Sequence, residues 1–474
     1  MSERPSRQNA AQTAEAAARV RGGDWAAAEE KYRAALRLDP GSVVALHGLG
    51  TLLTQTDRPA EGEVLLRTAV AQPALPPRAA AQITHVLGIA LDMQGRHEET
   101  IAAFRQAIAL DPLHAAAHQE LNALLYRLGR DGEFLASYEM ATARAPVSGA
   151  LVMQKAGFLM RTERFEEARE CFARAVAMAP GHPGPLNGLA EAYAGLGRLA
   201  DSIAAHEKSL ALRPGEPRTM LNLACTLLEA GEARRALSLT DAVLPQMPFD
   251  QSALAVRELA LRANDDPRAE QIADYDRHVQ IFDLEPPLGF SSMAEFNVAL
   301  NAHLDGLHTD LREHIDQTLR HGTQTATSLL AGENALLRAL RLRIEEAVAA
   351  YIGRMADADT ALAPRRRGGF SFAGSWSSRL RDCGFHTNHV HPGGWISSCY
   401  YVAGPDIAAD ETARQGWIKF GEPSFKTALR DPVRRVVQPV PGRLVLFPSY
   451  MWHGTIPFRA PTARTTIAFD AVPV

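Results

Sequence analysis

The sequence has few cysteines, no long apolar run and no large excess of charge of either sign. Its four cysteines, Cys171, Cys225, Cys383 and Cys399, are scattered over 474 residues without a C-x-x-C pair. This spacing excludes a disulfide framework and favours a reducing compartment, so we expect a cytoplasmic protein. No stretch approaches the roughly 20 apolar residues that cross a bilayer, and the charged, alanine-rich N-terminus has no secretory signal.

The charge and composition exclude several classes of protein. The formal net charge is −4, which leaves no electrostatic footprint for nucleic acid or anionic lipid. We therefore expect neither a nucleic-acid partner nor a membrane partner. Hydrophobic residues make up 46% and charged residues 22%, as in an ordinary globular protein. A chain of 474 residues is too long for one compact core, so two or more domains are expected.

A repeat of 34 residues runs through the first half of the chain and is marked by proline. The prolines at this step are Pro112, Pro146, Pro180, Pro214 and Pro248, and Pro40 falls in register after a four-residue offset. Eight residues before the proline position, most copies have a large side chain: Tyr32, Leu66, Phe104, Tyr138 and Phe172. Five residues before it, nearly every copy has a small one, such as Ala35, Ala107 or Ala175.

This pattern resembles the tetratricopeptide repeat, in which each unit is a pair of antiparallel helices. Small residues let the two helices approach, large ones fill the gap, and proline ends the second helix. We predict about seven units over residues 9–250, which implies an α-helical superhelix with a groove for a protein or peptide partner. A passive spacer or a dimerisation module is the alternative, and the oligomeric state cannot be read from the sequence.

The pattern changes after the repeats. Residues 251–285 are interpreted as a capping helix followed by a linker, and residues 286–474 as a second domain. This domain begins with two helices, the first capped by Ser292, and residues 317–325 between them are predicted to be a loop that could border a pocket. Beyond residue 367, short β-branched and aromatic segments divided by Gly, Pro and Asp predict a sandwich or barrel, of which a jelly roll is one form.

Three histidines lie close together at the start of this strand-rich region, in the stretch FHTNHVHPGG. His389 and His391 are two residues apart, so on a strand their imidazoles would share a face. A further histidine, His453, lies on a late strand, and Arg464 and Thr466 share a face on the next one.

The order of these residues resembles the iron(II)- and 2-oxoglutarate-dependent oxygenases, in particular a prolyl-hydroxylase-like group with His-x-His-Pro. The resemblance is strong over residues 370–474 and implies a double-stranded β-helix, or jelly roll, with flanking helices. It implies that His389, His391 and His453 bind Fe(II), and that 2-oxoglutarate and O₂ are co-substrates. It also implies that Arg464 pairs with the distal carboxylate of 2-oxoglutarate, with further hydrogen bonds from Thr466 and Tyr401.

One position departs from the usual pattern of that family, in which the second ligand is a carboxylate. The sequence has His391 there, and His386 is a spare candidate for the third ligand. Three-histidine sites also suit Zn(II) and Cu(II), so the native metal stays open at this point.

Three functions are compatible with the sequence. The first is a dioxygenase that hydroxylates a protein or peptide presented by the repeats. The second is a protein-binding scaffold with a catalytically degenerate jelly roll, which the missing carboxylate ligand favours. The third is a cupin-type metalloenzyme without 2-oxoglutarate, which would have no use for Arg464. No residue pattern identifies the substrate.

Overall fold

The structure is a computed structural model that describes residues 3–73, 75–143, 148–325, 328–356, 361–366 and 368–474. Pro146 of the proline series lies outside these ranges. The chain divides into two compact units, Met1–Lys155 and Ala156–Val474, with the boundary inside a helix. No helix in the described ranges combines the length and apolarity that crossing a membrane requires.

Consecutive helix pairs make up the described part of the chain as far as residue 243. They are α1 (Glu3–Arg21), α2 (Trp25–Leu38), α3 (Val43–Gln55), α4 (Pro59–Val70), α5 (Pro77–Asp92), α6 (His97–Leu110), α7 (Ala115–Arg127), α8 (Ala136–Thr142), α9 (Gly149–Arg161), α10 (Phe165–Met178), α11 (Pro183–Gly195), α12 (Leu199–Leu212), α13 (Pro217–Glu229) and α14 (Ala233–Val243). The predicted helical repeat array is confirmed.

The close approach of paired helices depends on glycines that face aromatic rings. A Cβ atom on Gly88 would lie 2.5 Å from the ring of Phe104, and one on Gly188 would lie 2.3 Å from the ring of Phe172. These rings occupy the large positions of the repeat, so the sequence pattern has a direct packing cause. Pro112 and Pro180 stand two residues beyond the ends of α6 and α10, as the pattern predicts.

Further helices follow the repeats and lead into the strand-rich region. They are α15 (Gln251–Ala263), α16 (Arg268–Ile272), α17 (Tyr275–His278), α18 (Met293–Asp305) and α19 (Ala335–Gly353). Ser292 caps α18 as predicted, and its hydroxyl accepts the backbone N–H of Glu295.

Two antiparallel sheets contain the strands. The strands are β1 (Gln280–Asp283), β2 (Leu319–Gln324), β3 (Phe370–His386), β4 (Ile396–Ala403), β5 (Ile418–Phe420), β6 (Arg435–Val437), β7 (Arg443–Pro448), β8 (His453–Thr455) and β9 (Arg464–Pro473). One sheet has six strands in the order β1-β7-β4-β9-β3-β2, and the other has three in the order β6-β5-β8. The predicted strand-rich region is confirmed and its strands pair antiparallel, whereas its assignment as a jelly roll stays a prediction.

Two edge strands differ from the sequence interpretation. Residues 317–325, predicted to be a loop, contain β2, which pairs with β3 through Leu319–His386 and Thr323–Arg379. The segment LRHGTQ is more polar than the other strands. It lies at the edge of the sheet, where a strand does not need an apolar sequence in order to pair. The stretch predicted as a linker contains β1, which pairs with β7.

A continuous apolar core joins the last repeats to the strand-rich region within the second unit. It extends from Leu223 of α13 through Leu259 of α15 to Leu446 and Ile467 in the six-stranded sheet. Arg262 of α15 reinforces this joint, because its guanidinium donates to the backbone oxygens of Gly421, Asp431 and Pro432. The capping helix is therefore packed as part of the second unit's core.

Glu258 of α15 generates a prediction about stability and pH. Its carboxylate accepts the Tyr275 hydroxyl at 3.2 Å, and burial raises its pKa from 4.5 to about 7. The folded state thus keeps a proton that the unfolded chain loses, and stability falls as the pH rises from 4.5 to about 7. Glu258→Gln has no charge to bury, so it should be more stable than the native protein above pH 7, by about 3 kcal/mol at most.

The measurement is urea unfolding at pH 5 and pH 8, with the exposed Glu270→Gln on α16 as the control. The stability difference between Glu258→Gln and the native protein should grow with pH, and the control should follow the native profile. Equal pH profiles for all three proteins would contradict the prediction.

Candidate metal centre

The backbone brings the distant histidines together through a pair of hydrogen bonds. The N–H of His389 donates to the carbonyl of His453 at 2.9 Å, and the N–H of His453 donates back to His389 at 3.0 Å. The N–H of His391 donates to the carbonyl of Ser449 at 2.9 Å. Residues 389–391 do not form a regular strand, since β3 ends at His386 and His389 forms an isolated bridge. The extended segment nevertheless turns both imidazoles toward His453.

The three imidazoles converge on one point. One ring nitrogen from each of His389, His391 and His453 lies within 4.8 Å of the other two. The Nε2 atoms of His389 and His391 are 3.1 Å apart. Two nitrogens that bind one divalent cation at right angles, each at about 2.1 Å, would be about 3.0 Å apart. The spacing of this pair therefore suits neighbouring ligands of a single metal ion.

Every ring in the cluster is oriented by its second nitrogen. The Nδ1–H of His389 faces the carbonyl of Thr387 at 2.8 Å, and that of His453 faces the carbonyl of Met451 at 2.9 Å. Nδ1 of His391 lies 2.7 and 2.8 Å from the two carboxylate oxygens of Asp470. Since these acceptors require a donor at Nδ1, each neutral ring keeps a lone pair on Nε2.

The Nε2 atoms of His389 and His391 thus face each other across 3.1 Å. Burial lowers the pKa of His389 to about 3 and that of His453 well below its usual value, so these two rings are neutral at neutral pH and offer their Nε2 lone pairs. The donor set fits a divalent metal, and imidazole is a suitable ligand for iron, zinc and copper.

His386 lies beside this cluster without joining it. Its ring centroid is 6.3 Å from that of His389, and its Nδ1 is 3.4 Å from the hydroxyl of Thr455. Within the described residues, the group close enough to hold one ion consists of the other three histidines. The geometry thus favours His391 over His386 as the third ligand.

Arg464 presents an unpaired guanidinium to the same cavity. The side chain is 1% exposed, and its Nε and Nη1 atoms have no hydrogen-bond partner among the described residues. Nη2 is 3.9 Å from the sulfur of Cys399, and the guanidinium lies 5.0 Å from the ring centre of Tyr401. An unpaired buried cation costs several kcal/mol, so the site is built to receive an anion.

The other predicted site residues lie at different distances from the cavity. Thr466 lines it, with its hydroxyl 3.5 Å from the carbonyl of Ser378. Tyr401 lies behind Arg464 and does not line the cavity, although its buried hydroxyl has no hydrogen-bond partner among the described residues. Burial also raises the pKa of Tyr401, so the phenol stays protonated.

The cavity has a volume of about 230 Å³ and spans the distance from the histidines to the guanidinium. Gln317, Thr318 and Gln324, from the segment predicted to border a pocket, are among its lining residues. Trp376 of β3 stacks on His391 with ring centroids 5.8 Å apart and an interplanar angle of 23°. One cavity therefore holds a candidate metal centre, a buried guanidinium and an aromatic wall.

Asp470 is the functional candidate that the sequence interpretation missed. Side chains alternate between the two faces of a strand, so residues two apart on β9 share a face: Arg464, Thr466, Ala468 and Asp470. This spacing could have pointed to Asp470 from the sequence. Its contact with His391 could not be foreseen, since it depends on how β9 pairs with β4.

Comparisons with known protein families agree with this architecture. Residues 374–470 match the family described as "Putative 2OG-Fe(II) oxygenase", and residues 20–83, 85–148 and 148–214 match three tetratricopeptide-repeat families. Both resemblances predicted from the sequence are thereby confirmed. The chain combines tetratricopeptide repeats with a C-terminal domain of that oxygenase family. No curated protein matches the chain.

Solved structures of repeat proteins are also similar in part. A tetratricopeptide repeat protein from Parabacteroides merdae has 16% identity and a TM-score of 0.37, with 54% of this chain and 99% of that chain covered. The C-terminal part of a repeat-containing protein from Cytophaga hutchinsonii has 13% identity and a TM-score of 0.36, with 47% and 90% covered. At these values the likeness carries no functional information.

The cluster generates a prediction about metal binding. His391→Ala should weaken binding of Co(II), a spectroscopic substitute for Fe(II), by more than about 100-fold, because even the outer partners of metal ligands are worth about 10- to 100-fold. His386→Ala should change the affinity by less than about 3-fold, because its ring lies outside the ligand set. Absorbance titration of each protein with Co(II) measures both. A reversed order of the two variants would show that the ligand set is wrong.

Proposed function

We propose that the C-terminal domain is an Fe(II)- and 2-oxoglutarate-dependent dioxygenase, an oxidoreductase of the hydroxylase type. The observation that carries this proposal is the unpaired, buried guanidinium of Arg464 in the same cavity as the three-histidine cluster. A metal centre alone would not need such a group. A dicarboxylate that chelates the metal at one end needs a cationic partner at the other.

In this proposal, His389, His391 and His453 hold Fe(II) through their Nε2 atoms. Bound iron with 2-oxoglutarate and O₂ supplies the oxidising power, by coupling decarboxylation of the keto acid to hydroxylation of a C–H bond. Arg464 pairs with the distal carboxylate of 2-oxoglutarate, and a guanidinium suits this task because it can donate two parallel hydrogen bonds. Thr466 lines the same part of the cavity and offers a hydroxyl to that carboxylate.

Tyr401 has a supporting part in this proposal. Its ring packs against the Arg464 guanidinium, with the ring centre 5.0 Å from it. The ring face attracts the cation and limits the positions that the side chain can take. Arg464 is thereby held in place before the co-substrate arrives, which lowers the ordering cost of binding.

We further propose that the substrate is a protein or peptide that the repeats present to the cavity. Tetratricopeptide repeats generally bind proteins, and the part of α9 that lies in the second unit contacts a residue that lines the cavity. Arg161 of α9 forms a 3.0 Å ion pair with Asp316, and Asp316 lines the cavity. A chain held on these repeats would thus lie near the candidate metal centre.

Arg464→Met tests the proposal, because methionine fills similar space without a charge. Under anaerobic conditions with Fe(II), the native protein should give the weak visible charge-transfer band of a 2-oxoglutarate complex, and then release succinate with O₂. Truncating one partner of a buried charge pair costs about 2 kcal/mol or more, so 2-oxoglutarate should bind the variant at least about 30-fold more weakly. Co(II) affinity should be unchanged.

The control variant is Arg381→Met, on the same sheet but with an exposed side chain that donates to the carbonyl of Leu311. It should retain the band and succinate release. Absence of the band from the native protein would favour the degenerate scaffold. Metal binding and turnover that are indifferent to Arg464→Met would favour a metalloenzyme that does not use 2-oxoglutarate.

A further inference from the structure

The three candidate ligands are imidazoles, and the nearest carboxylate lies on the far side of one of them from the point where a metal would bind. The carboxylate of Asp470 contacts Nδ1 of His391 with both oxygens, at 2.7 and 2.8 Å. Both side chains are largely buried, with 12% of His391 and 16% of Asp470 exposed. A carboxylate so close to a buried ring interacts with little screening by water.

The surroundings of Asp470 hold its carboxylate in one orientation. The hydroxyl of Ser397 donates to Oδ1 at 2.6 Å, and Ser397 and Ser449 share a further hydrogen bond of 2.8 Å. Gly394 leaves room for the Ser449 hydroxyl and the Asp470 carboxylate. A Cβ atom at this position would lie 2.2 Å from the Ser449 hydroxyl and 3.4 Å from Oδ1 of Asp470. The pairing of Ser397 with Asp470 between β4 and β9 fixes the register.

The other two rings are oriented differently. His389 and His453 donate to backbone carbonyls, which orient a ring without adding a charge. His391 is the member of the cluster with a charged partner among the described residues. Carboxylates that accept the outer N–H of a metal-bound imidazole raise its basicity and fix its orientation.

We propose that Asp470 is a positioning residue that makes His391 the strongest electron donor of the metal centre and brings negative charge to the site from outside the ligand set. This inference rests on the proposed function for the metal, but not on the identity of the co-substrate. The carboxylate acts through His391, holding Nδ1–H and directing the Nε2 lone pair toward the cation. It offsets part of the positive charge that a divalent metal and Arg464 together bring to the cavity.

Asp470→Asn tests the proposal, because it keeps the shape and one accepting oxygen but removes the charge. We expect it to weaken Co(II) binding about 10- to 100-fold, the usual cost of losing an outer partner. Ser397→Ala should weaken Co(II) binding by a smaller factor, because the carboxylate loses one anchoring hydrogen bond. The matched control is Asp283→Asn on β1 of the same sheet, an exposed residue paired with Arg443, and it should bind Co(II) like the native protein.

A purely structural role would give a different result. In that case Asp470→Asn would lower the melting temperature of the metal-free protein but leave the Co(II) affinity and absorption spectrum unchanged, and the proposal would be overturned. Failure of the proposed oxygenase function is separate, because it would appear as a missing 2-oxoglutarate band in a native protein that still binds Co(II). A native protein that does not bind Co(II) would overturn both.

Discussion

The two backbone hydrogen bonds between His389 and His453 are the constraint on which the candidate site depends. They connect the segment after β3 to the start of β8, and they bring together imidazoles that are 64 positions apart. Without this bridge, the Nε2 lone pairs would have no common target. The neighbouring bond from His391 to Ser449 sets the third ring, so the cluster is a property of the backbone path as much as of the side chains.

Charge is distributed around the cavity in an orderly way. Three imidazoles face the point where a metal would bind, the guanidinium of Arg464 lies at the opposite end of the cavity, and the carboxylate of Asp470 contacts His391 from behind. Each buried charge has either a partner in the protein or an open cavity in front of it. Under the proposed function, an anionic co-substrate would compensate the energetic cost of leaving this guanidinium unpaired.

The repeats and the strand-rich region are physically coupled in the second unit. The apolar core passes from α13 and α15 into the six-stranded sheet, and Arg262 ties α15 to the loop around residues 421–432. Helix α15, interpreted from the sequence as a capping helix, therefore connects the repeats to the strand-rich region through the shared core. Helical periodicity predicted that the helix exists, but the backbone oxygens that Arg262 contacts lie more than 150 residues away in the sequence and left no local signal.

The sequence by itself determined the repeat array, the strands of the C-terminal region and the residues Arg464 and His453 as candidates. The repeats and strands follow from periodicity and composition, which are local, and the two site residues follow from the resemblance of their order in the chain to that oxygenase family. The tertiary structure alone decided that His391 rather than His386 joins the cluster, that the polar segment at 319–324 is an edge strand, and that Asp470 lies against His391. These three features depend on strand pairing and on contacts between buried polar atoms. Such contacts join residues that are far apart in the chain, so no short stretch of sequence predicts them.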